Sequence, residues 1–306
     1  MKVLLVAEEA VGVHALRVLA EREEEVVAVL TAPAPERGTS VAGLAAEMEV
    51  PRLDPKRVRD AGFADWIAER EIDMLLNVHS LHLIDAAVLE APRIGSFNLH
   101  PGPLPGYAGL NAPSWAIAEG ESRHAVTLHW MTADVDAGPI AYKAWFEIGP
   151  RDTGVRVATR GAQEGVPLLR QLLEDAAAGT IPADPQPPGE KSVWHGREVP
   201  YDGGLPWDAG ARRVVDLVRA ADFAPFESPW GSFRTTVAGQ EVAILRAAAT
   251  GEPADAPAGA VGEAGEKGIR VSAGDEWVEV ERTAVGGESV PPAEALPAGA
   301  VCEVSA

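Results

Sequence analysis

The chain has 306 residues, 46% of them hydrophobic, and carries a formal charge of −20 from 26 basic and 46 acidic side chains. That length holds one large domain or two unequal ones with a sizeable core. The acid excess and the lack of a basic run argue against general affinity for nucleic acid, and no run of about 18 apolar residues is present to span a membrane. The one cysteine, Cys302, leaves no internal disulfide framework and no cysteine-based metal site, and reads as an ordinary residue near a frayed end. The amino terminus, Met-Lys-Val-Leu-Leu-Val-Ala-Glu-Glu, turns acidic too early for a secretory signal, so a cytoplasmic address is expected.

Residues 2–7 form a short apolar run suited to a buried parallel strand. A helix with Val13, Leu16 and Ala20 on one face follows, then a strand at Val26–Leu30, which together open a βαβ unit. The connecting loop has the single Gly12 and no G-x-G-x-x-G, so the dinucleotide fingerprint is absent. Helices are predicted at Gly43–Glu49 and Phe63–Glu71, with a brief extended piece at Pro51–Leu53. Met74–Val78 is the next buried strand; a short helix through Leu89 leads to a strand at Ser96–Leu99. Alternating strands and helices predict a Rossmann-like, doubly wound, mostly parallel sheet, which takes ligands at the carboxyl ends of its strands.

A helix at Ser114–Ala118, a strand at Val126–Met131 and an outer strand at Ala141–Ile148 come next, the last with Tyr142, Ala144, Phe146 and Ile148 on one face. Leu168, Leu169, Leu172 and Leu173 make a helical stripe that ends at Gly179. Residues 181–206, rich in Pro and Gly, read as a linker between a domain at 1–180 and one at 207–306. Beyond it lie an amphipathic helix at Ala209–Ala221 and short β-prone runs at Phe233–Val237, Glu241–Leu245, Gly268–Ser272 and Trp277–Glu281. These predict a smaller C-terminal β-domain, a barrel of OB type or a sandwich.

The chemistry concentrates in Gly95–Ala118. Asn98 and His100, two apart at a strand end, point to one face. Pro101, Pro103 and Pro105 with Gly102, Gly106 and Gly109 then stiffen the loop. A second loop, Thr132–Pro139, brings two acids, Asp134 and Asp136. His124, His129 and His195 show no metal-ligand spacing and read as structural or exposed.

Asn98-Leu-His100 with the proline loop, and Val135-Asp136-Ala-Gly-Pro-Ile140 placed 38 residues after Asn98, resemble the Asn-x-His and Leu-Asp-x-Gly motifs of the folate-dependent formyltransferases. The resemblance runs from the first strand into the β-domain, where Pro257–Val261 and Gly268–Ser272 are similar to the methionyl-tRNA formyltransferase branch. It implies 10-formyltetrahydrofolate as formyl donor and no metal. Asn98 and His100 would stabilise the oxyanion, His100 would move the proton, and Asp136 would hold the imidazole. For the pterin it implies Leu81, His82, Ile84 and Met131 with the loop of Asp134; His82 stands where the glycinamide ribonucleotide branch has arginine.

The acceptor is less defined. Residues 204–306 hold 8 Lys/Arg against 16 Asp/Glu, a net of −8, where a grip on an acceptor stem needs the opposite sign. Tyr107-Ala-Gly-Leu-Asn111 lacks the arginine that the tRNA enzymes carry beside the aromatic residue. It resembles formylation domains found with peptide synthetases, as do Val193-Trp-His-Gly-Arg and the Ala221–Gly231 segment. The expected acceptor is therefore an amine on a small molecule, an aminoacyl carrier or an amino sugar of specialised metabolism, with Tyr107 and Asn111 on its side. Methionyl-tRNA formylation and hydrolysis of the donor are the alternatives, with a non-catalytic docking module behind them.

Overall fold

The computed structural model describes residues 1–35, 38–187, 193–194, 196 and 198–303. In chain order the first elements are β1 (Lys2–Ala7), α1 (Glu9–Glu21), β2 (Glu25–Leu30), α2 (Val41–Glu47), β3 (Arg52–Leu53), α3 (Phe63–Glu69), β4 (Met74–Val78), α4 (Ala86–Glu90) and β5 (Gly95–His100). Then come β6 (Ala108–Gly109), α5 (Ala112–Ala118), β7 (Arg123–Trp130), β8 (Ile140–Glu147), α6 (Gly154–Ala178), β9 (Val193–Trp194) and α7 (Ala211–Ala220). The chain continues through β10 (Arg234–Val237), β11 (Gln240–Pro253), β12 (Val261–Ala264), β13 (Ile269–Ser272), β14 (Glu276–Val285), β15 (Glu288–Val290) and α8 (Pro292–Ala295).

These elements form two compact units. One takes Met1–Gly109, His124–Phe146 and Thr159–Val193; the other takes Leu110–Arg123, Glu147–Ala158 and Trp194–Ala306. The expected cut at 1–180, 181–206 and 207–306 is corrected in two places. All seven residues of α5 are buried, so it needs a partner surface, and it finds α7: Ser114 Oγ donates to Ala220 O at 3.0 Å and the Arg213 guanidinium donates to Ala118 O. Part of the expected linker belongs to the first unit, because Ile140 and Asp184 exchange backbone hydrogen bonds at 2.8 and 3.0 Å.

The first unit is built on a seven-stranded sheet in the order β3-β2-β1-β4-β5-β7-β8. Pairings from β3 to β5 are parallel, whereas β7 runs antiparallel to β5. Alternating side chains divide between two cores. Val3, Leu5, Leu76, Phe97 and Leu99 meet Leu16 and Leu19 of α1 and Leu169, Leu172 and Leu173 of α6. Leu4, Val6 and Leu75 meet Val58, Phe63, Ile67 and Val88 on the other face. Helix α1 buries Val11, Gly12, Val13, Ala15, Leu16, Val18 and Leu19; of the three residues expected on one face, Val13 and Leu16 are buried and Ala20 is exposed. Ala20 shares the face of Val13 and Leu16 but lies in the last turn, one residue before the helix ends at Glu21.

Helix α6 is 25 residues long with Pro167 inside it, far longer than the leucine stripe alone implies. Gly165 lets it come close to β5: a Cβ there would stand 2.8 Å from Leu99, the residue between Asn98 and His100. The backbone that carries the polar pair is thereby pressed into a rigid layer.

In the second unit α7 buries Val214, Leu217, Val218 and Ala220. The antiparallel sheet has the order β10-β11-β14-β13-β12, with β15 on β14. The tail bonds to both outer strands: Val261 N donates to Ala300 O at 2.9 Å, and Glu303 N donates to Thr236 O at 2.8 Å. This gives the domain its barrel-like character. It also corrects the reading of Cys302, which is fully buried in that closure, its N–H bonded to Gly259 O. Among the described residues no helix is long and apolar enough to cross a membrane.

Candidate active site

The site lies in the first unit and begins with strand register. Asn77 of β4 stands opposite Asn98 of β5, and Asn98 stands opposite His129 of β7. Because strand side chains alternate, these three polar residues form one row across three adjacent strands. The row is buried: Asn77 is 5% exposed, Asn98 9% and His129 2%. Asn77 Nδ2 donates to Asn98 Oδ1 at 2.9 Å. That turns the Asn98 amide nitrogen the other way, to 3.2 Å from His129 Nε2 and 3.4 Å from Asp136 Oδ1.

Asp136 reaches the row from the loop after β7. Its φ is +49°, a left-handed conformation that costs energy in a non-glycine residue and recurs where function holds it in place. Gly138 is required in the same loop, since a Cβ there would run into the Trp130 carbonyl. Gln186 Nε2 clamps the loop from outside, donating to Asp136 O at 2.7 Å and Gly138 O at 2.8 Å. The carboxylate takes the Gly109 N–H at 2.8 Å on Oδ2, which also faces His100 Nδ1 at 3.5 Å. Its other oxygen lies 3.4 Å from His129 Nε2. Burial alone would raise the Asp136 pKa; the two imidazoles and the Gly109 amide outweigh it and hold the group well below the usual carboxylate range.

His100 is 2% exposed, and its Nε2 donates to Tyr107 O at 2.6 Å. Burial lowers its pKa, with Asp136 and the Tyr107 carbonyl opposing. The imidazole is then neutral at neutral pH with its proton on Nε2, and Nδ1 is a free base beside a carboxylate. His129 Nδ1 lies 2.7 Å from Trp130 O, which orients the ring with Nε2 towards Asn98 and Asp136.

The proline loop is fixed from β7 and β8. Thr127 Oγ1 donates to Gly102 O at 2.7 Å, His124 Nε2 to Pro101 O at 2.9 Å and Lys143 Nζ to Leu104 O at 2.7 Å. Burial brings the His124 pKa down to about 4.

The structure thus brings Asn98, His100 and Asp136 together. Ile84 and Met131 are half-buried against the core that contains Leu4 and Leu75, whereas Leu81 is 75% exposed. His82 bonds Arg59 through Nδ1 at 2.9 Å, and Asp134 is exposed, its carbonyl taking the Thr132 hydroxyl at 3.2 Å. Tyr107 presents its carbonyl to His100 and its ring edge to His124 at 6.0 Å. Asn111 falls in the second unit at the N-cap of α5, with φ of +61°. Of the Val193–Arg197 motif, His195 and Arg197 lie outside the described residues.

Three members of the site were not among the sequence candidates: Asn77, His129 and Gln186. His129, read as structural or exposed, is buried against Asp136. Its signal was parity, since it shares the alternation of Thr127 in a strand that pairs with β5. Among the described residues no group of three or more His, Cys, Asp or Glu is placed to hold a metal ion.

Group transfer through a developing oxyanion is the chemistry such a constellation serves, with amide and imidazole donors beside a base and its carboxylate. The Formyl transferase family model matches residues 4–173, and the Formyl transferase, C-terminal domain model matches residues 199–299. The chain belongs to the formyl transferase family. It is 31% identical over 258 residues to a methionyl-tRNA formyltransferase of Sorangium cellulosum, covering 83% of this chain and 80% of that protein. The fold is also that of an N-formyltransferase from Helicobacter canadensis solved with folinic acid and dTDP-3-aminofucose. That likeness has a TM-score of 0.72 at 16% identity, over 92% of this chain and 99% of that one. HypX from Aquifex aeolicus, solved with tetrahydrofolic acid, matches with a TM-score of 0.66 at 20% identity, over 97% of this chain and 47% of that one.

Proposed function

We propose that the chain transfers the formyl group of 10-formyltetrahydrofolate to the amine of a small molecule, an aminoacyl carrier or an amino sugar. The observation that carries the transfer chemistry is the buried cluster of Asn98, His100 and Asp136. The acceptor nitrogen forms a bond to the formyl carbon, and the carbonyl electrons move onto its oxygen. Asn98 Nδ2 gives up its long contact to Asp136 and donates to that oxygen. His100 Nδ1 takes the proton from the amine, and Asp136 stabilises the imidazolium. The electrons return, the bond from the formyl carbon to N10 breaks, and the proton passes to N10. Leu81 and Leu83, both largely exposed, with Ile84 and Met131 half-buried, offer an apolar ledge suited to a flat heteroaromatic ring.

The net of −8 over residues 204–306 supports a small or carrier-bound acceptor over a nucleic acid. The named relative from Sorangium cellulosum favours the second reading, methionyl-tRNA formylation. A mass-spectrometric screen with 10-formyltetrahydrofolate separates the two. The proposal expects a product heavier by one formyl group from a low-molecular-weight or carrier-bound amine, and formylation of methionyl-tRNA at a housekeeping rate would overturn the acceptor assignment.

A further inference from the structure

We propose that Asn77 is a positioning residue that sets which end of the Asn98 amide faces the reacting group. This rests on the formyl-transfer reading of the Asn98 cluster and adds a residue to it.

A side-chain amide has a donor end and an acceptor end of almost equal size, so shape alone does not choose between its two orientations. The surroundings choose for Asn98. On one side stands Asp136, whose carboxylate is an acceptor only and lies 3.4 Å from Asn98 Nδ2. On the other side stands Asn77, whose Nδ2 donates to Asn98 Oδ1 at 2.9 Å. Without Asn77, the Asn98 oxygen would face buried apolar side chains and lose its partner, and an unpaired buried carbonyl is costly. With Asn77 in place, both Asn98 N–H groups point to the Asp136 side, where the oxyanion donor is needed.

A second observation separates this role from ordinary core packing. Asn77 Oδ1 is buried and takes no hydrogen bond from any described residue. Asn77 stands opposite Val6 in β1 and follows Leu75 and Leu76, so an aliphatic residue of similar volume suits its position. A buried amide with half its bonding unmet is a poor choice for stability in such a place. Among the described residues, its one side-chain hydrogen bond goes to Asn98. The structure therefore sacrifices packing quality at Asn77 to fix a donor beside the reaction centre, as functional sites commonly do.

The test compares wild type, Asn77→Leu and Asn77→Asp in one formyl-transfer assay, with thermal unfolding measured alongside. Asn77→Leu removes the donor and the unmet oxygen together, so its Tm should equal or exceed that of the wild type. Its kcat should fall by about 100-fold with the KM for the donor unchanged, because a misplaced group costs the transition state and not the ground state. Asn77→Asp offers only acceptor oxygens when ionised and should invert the Asn98 amide, giving a kcat below that of Asn77→Leu. Activities of both variants within twofold of the wild type would overturn the proposal. So would a lowered Tm in Asn77→Leu with activity lost only in proportion to the unfolded fraction. A wild-type enzyme without formyl transfer would instead refute the underlying reading of the site.

Discussion

Replacing Asp136 by Asn removes one charge and almost no volume, which isolates the electrostatic part of the site. In the native protein Oδ2 is 3.5 Å from His100 Nδ1, and the Asp136 side chain is only 10% exposed, so solvent screens the pair weakly. Two unit charges at that separation, in an effective dielectric of about 20, interact by about 5 kcal/mol. That stabilisation exists only once His100 holds the transferred proton, so its loss falls on the transition state. The Asn dipole retains a share, and losing about 3 to 4 kcal/mol of it lowers kcat by about 100- to 1000-fold. His100 would also titrate lower without its carboxylate, shifting the acid limb of the rate profile to lower pH. Steady-state kinetics across pH with purified Asp136→Asn, checked for a wild-type fold, measures both effects. A kcat within fivefold of the wild type and an unmoved acid limb would refute the assignment of Asp136 as the counter-ion of a protonated His100.

Two further substitutions probe the surroundings. His124 is depressed to about 4 from an ordinary value near 6.5, so between those two pH values the unfolded chain binds the extra proton. Its contribution is fully present above about pH 6.5 and lost as pH falls towards 4, amounting to about 2 kcal/mol by pH 5. Denaturant unfolding at pH 7 and pH 5 should show that loss in the wild type and not in His124→Gln, whose amide keeps a donor for Pro101 O. Equal pH dependence in the two proteins would refute it. Gln186→Ala frees two loop carbonyls from a common clamp. It should lower kcat by about tenfold with little change in Tm, since the bonds it removes order the loop of Asp136 and not the core. Unchanged kinetics would show that the left-handed turn at Asp136 holds without Gln186.

How much of this was legible beforehand depended on whether a residue works through its own neighbourhood or through a partner strand. Asn98 and His100 share a strand end, and Asp136 sits on a loop with its own Asp-x-Gly signature, so local pattern read through the resemblance to the formyltransferase motifs singled them out. Asn77 and His129 gain their roles only because β4, β5 and β7 are neighbours in that order and register, and because β7 enters antiparallel. A linear chain does not display which strands pair. Gln186 was lost for a related reason: Pro and Gly around it mark irregular backbone, and irregular backbone can still be tied down by the bridge between Ile140 and Asp184. Helix α5 showed the same limit at the level of units, since its sequence predicts burial and leaves open against what.

The most direct measurement follows a carbon-13-labelled formyl group from 10-formyltetrahydrofolate by NMR and mass spectrometry, with the amine panel, in the wild type and in His100→Ala. The account predicts that the label appears as an N-formyl product of an amine in the wild type and stays on the donor in His100→Ala. Label released as formate whether or not an amine is present, or transfer undiminished in His100→Ala, would contradict it.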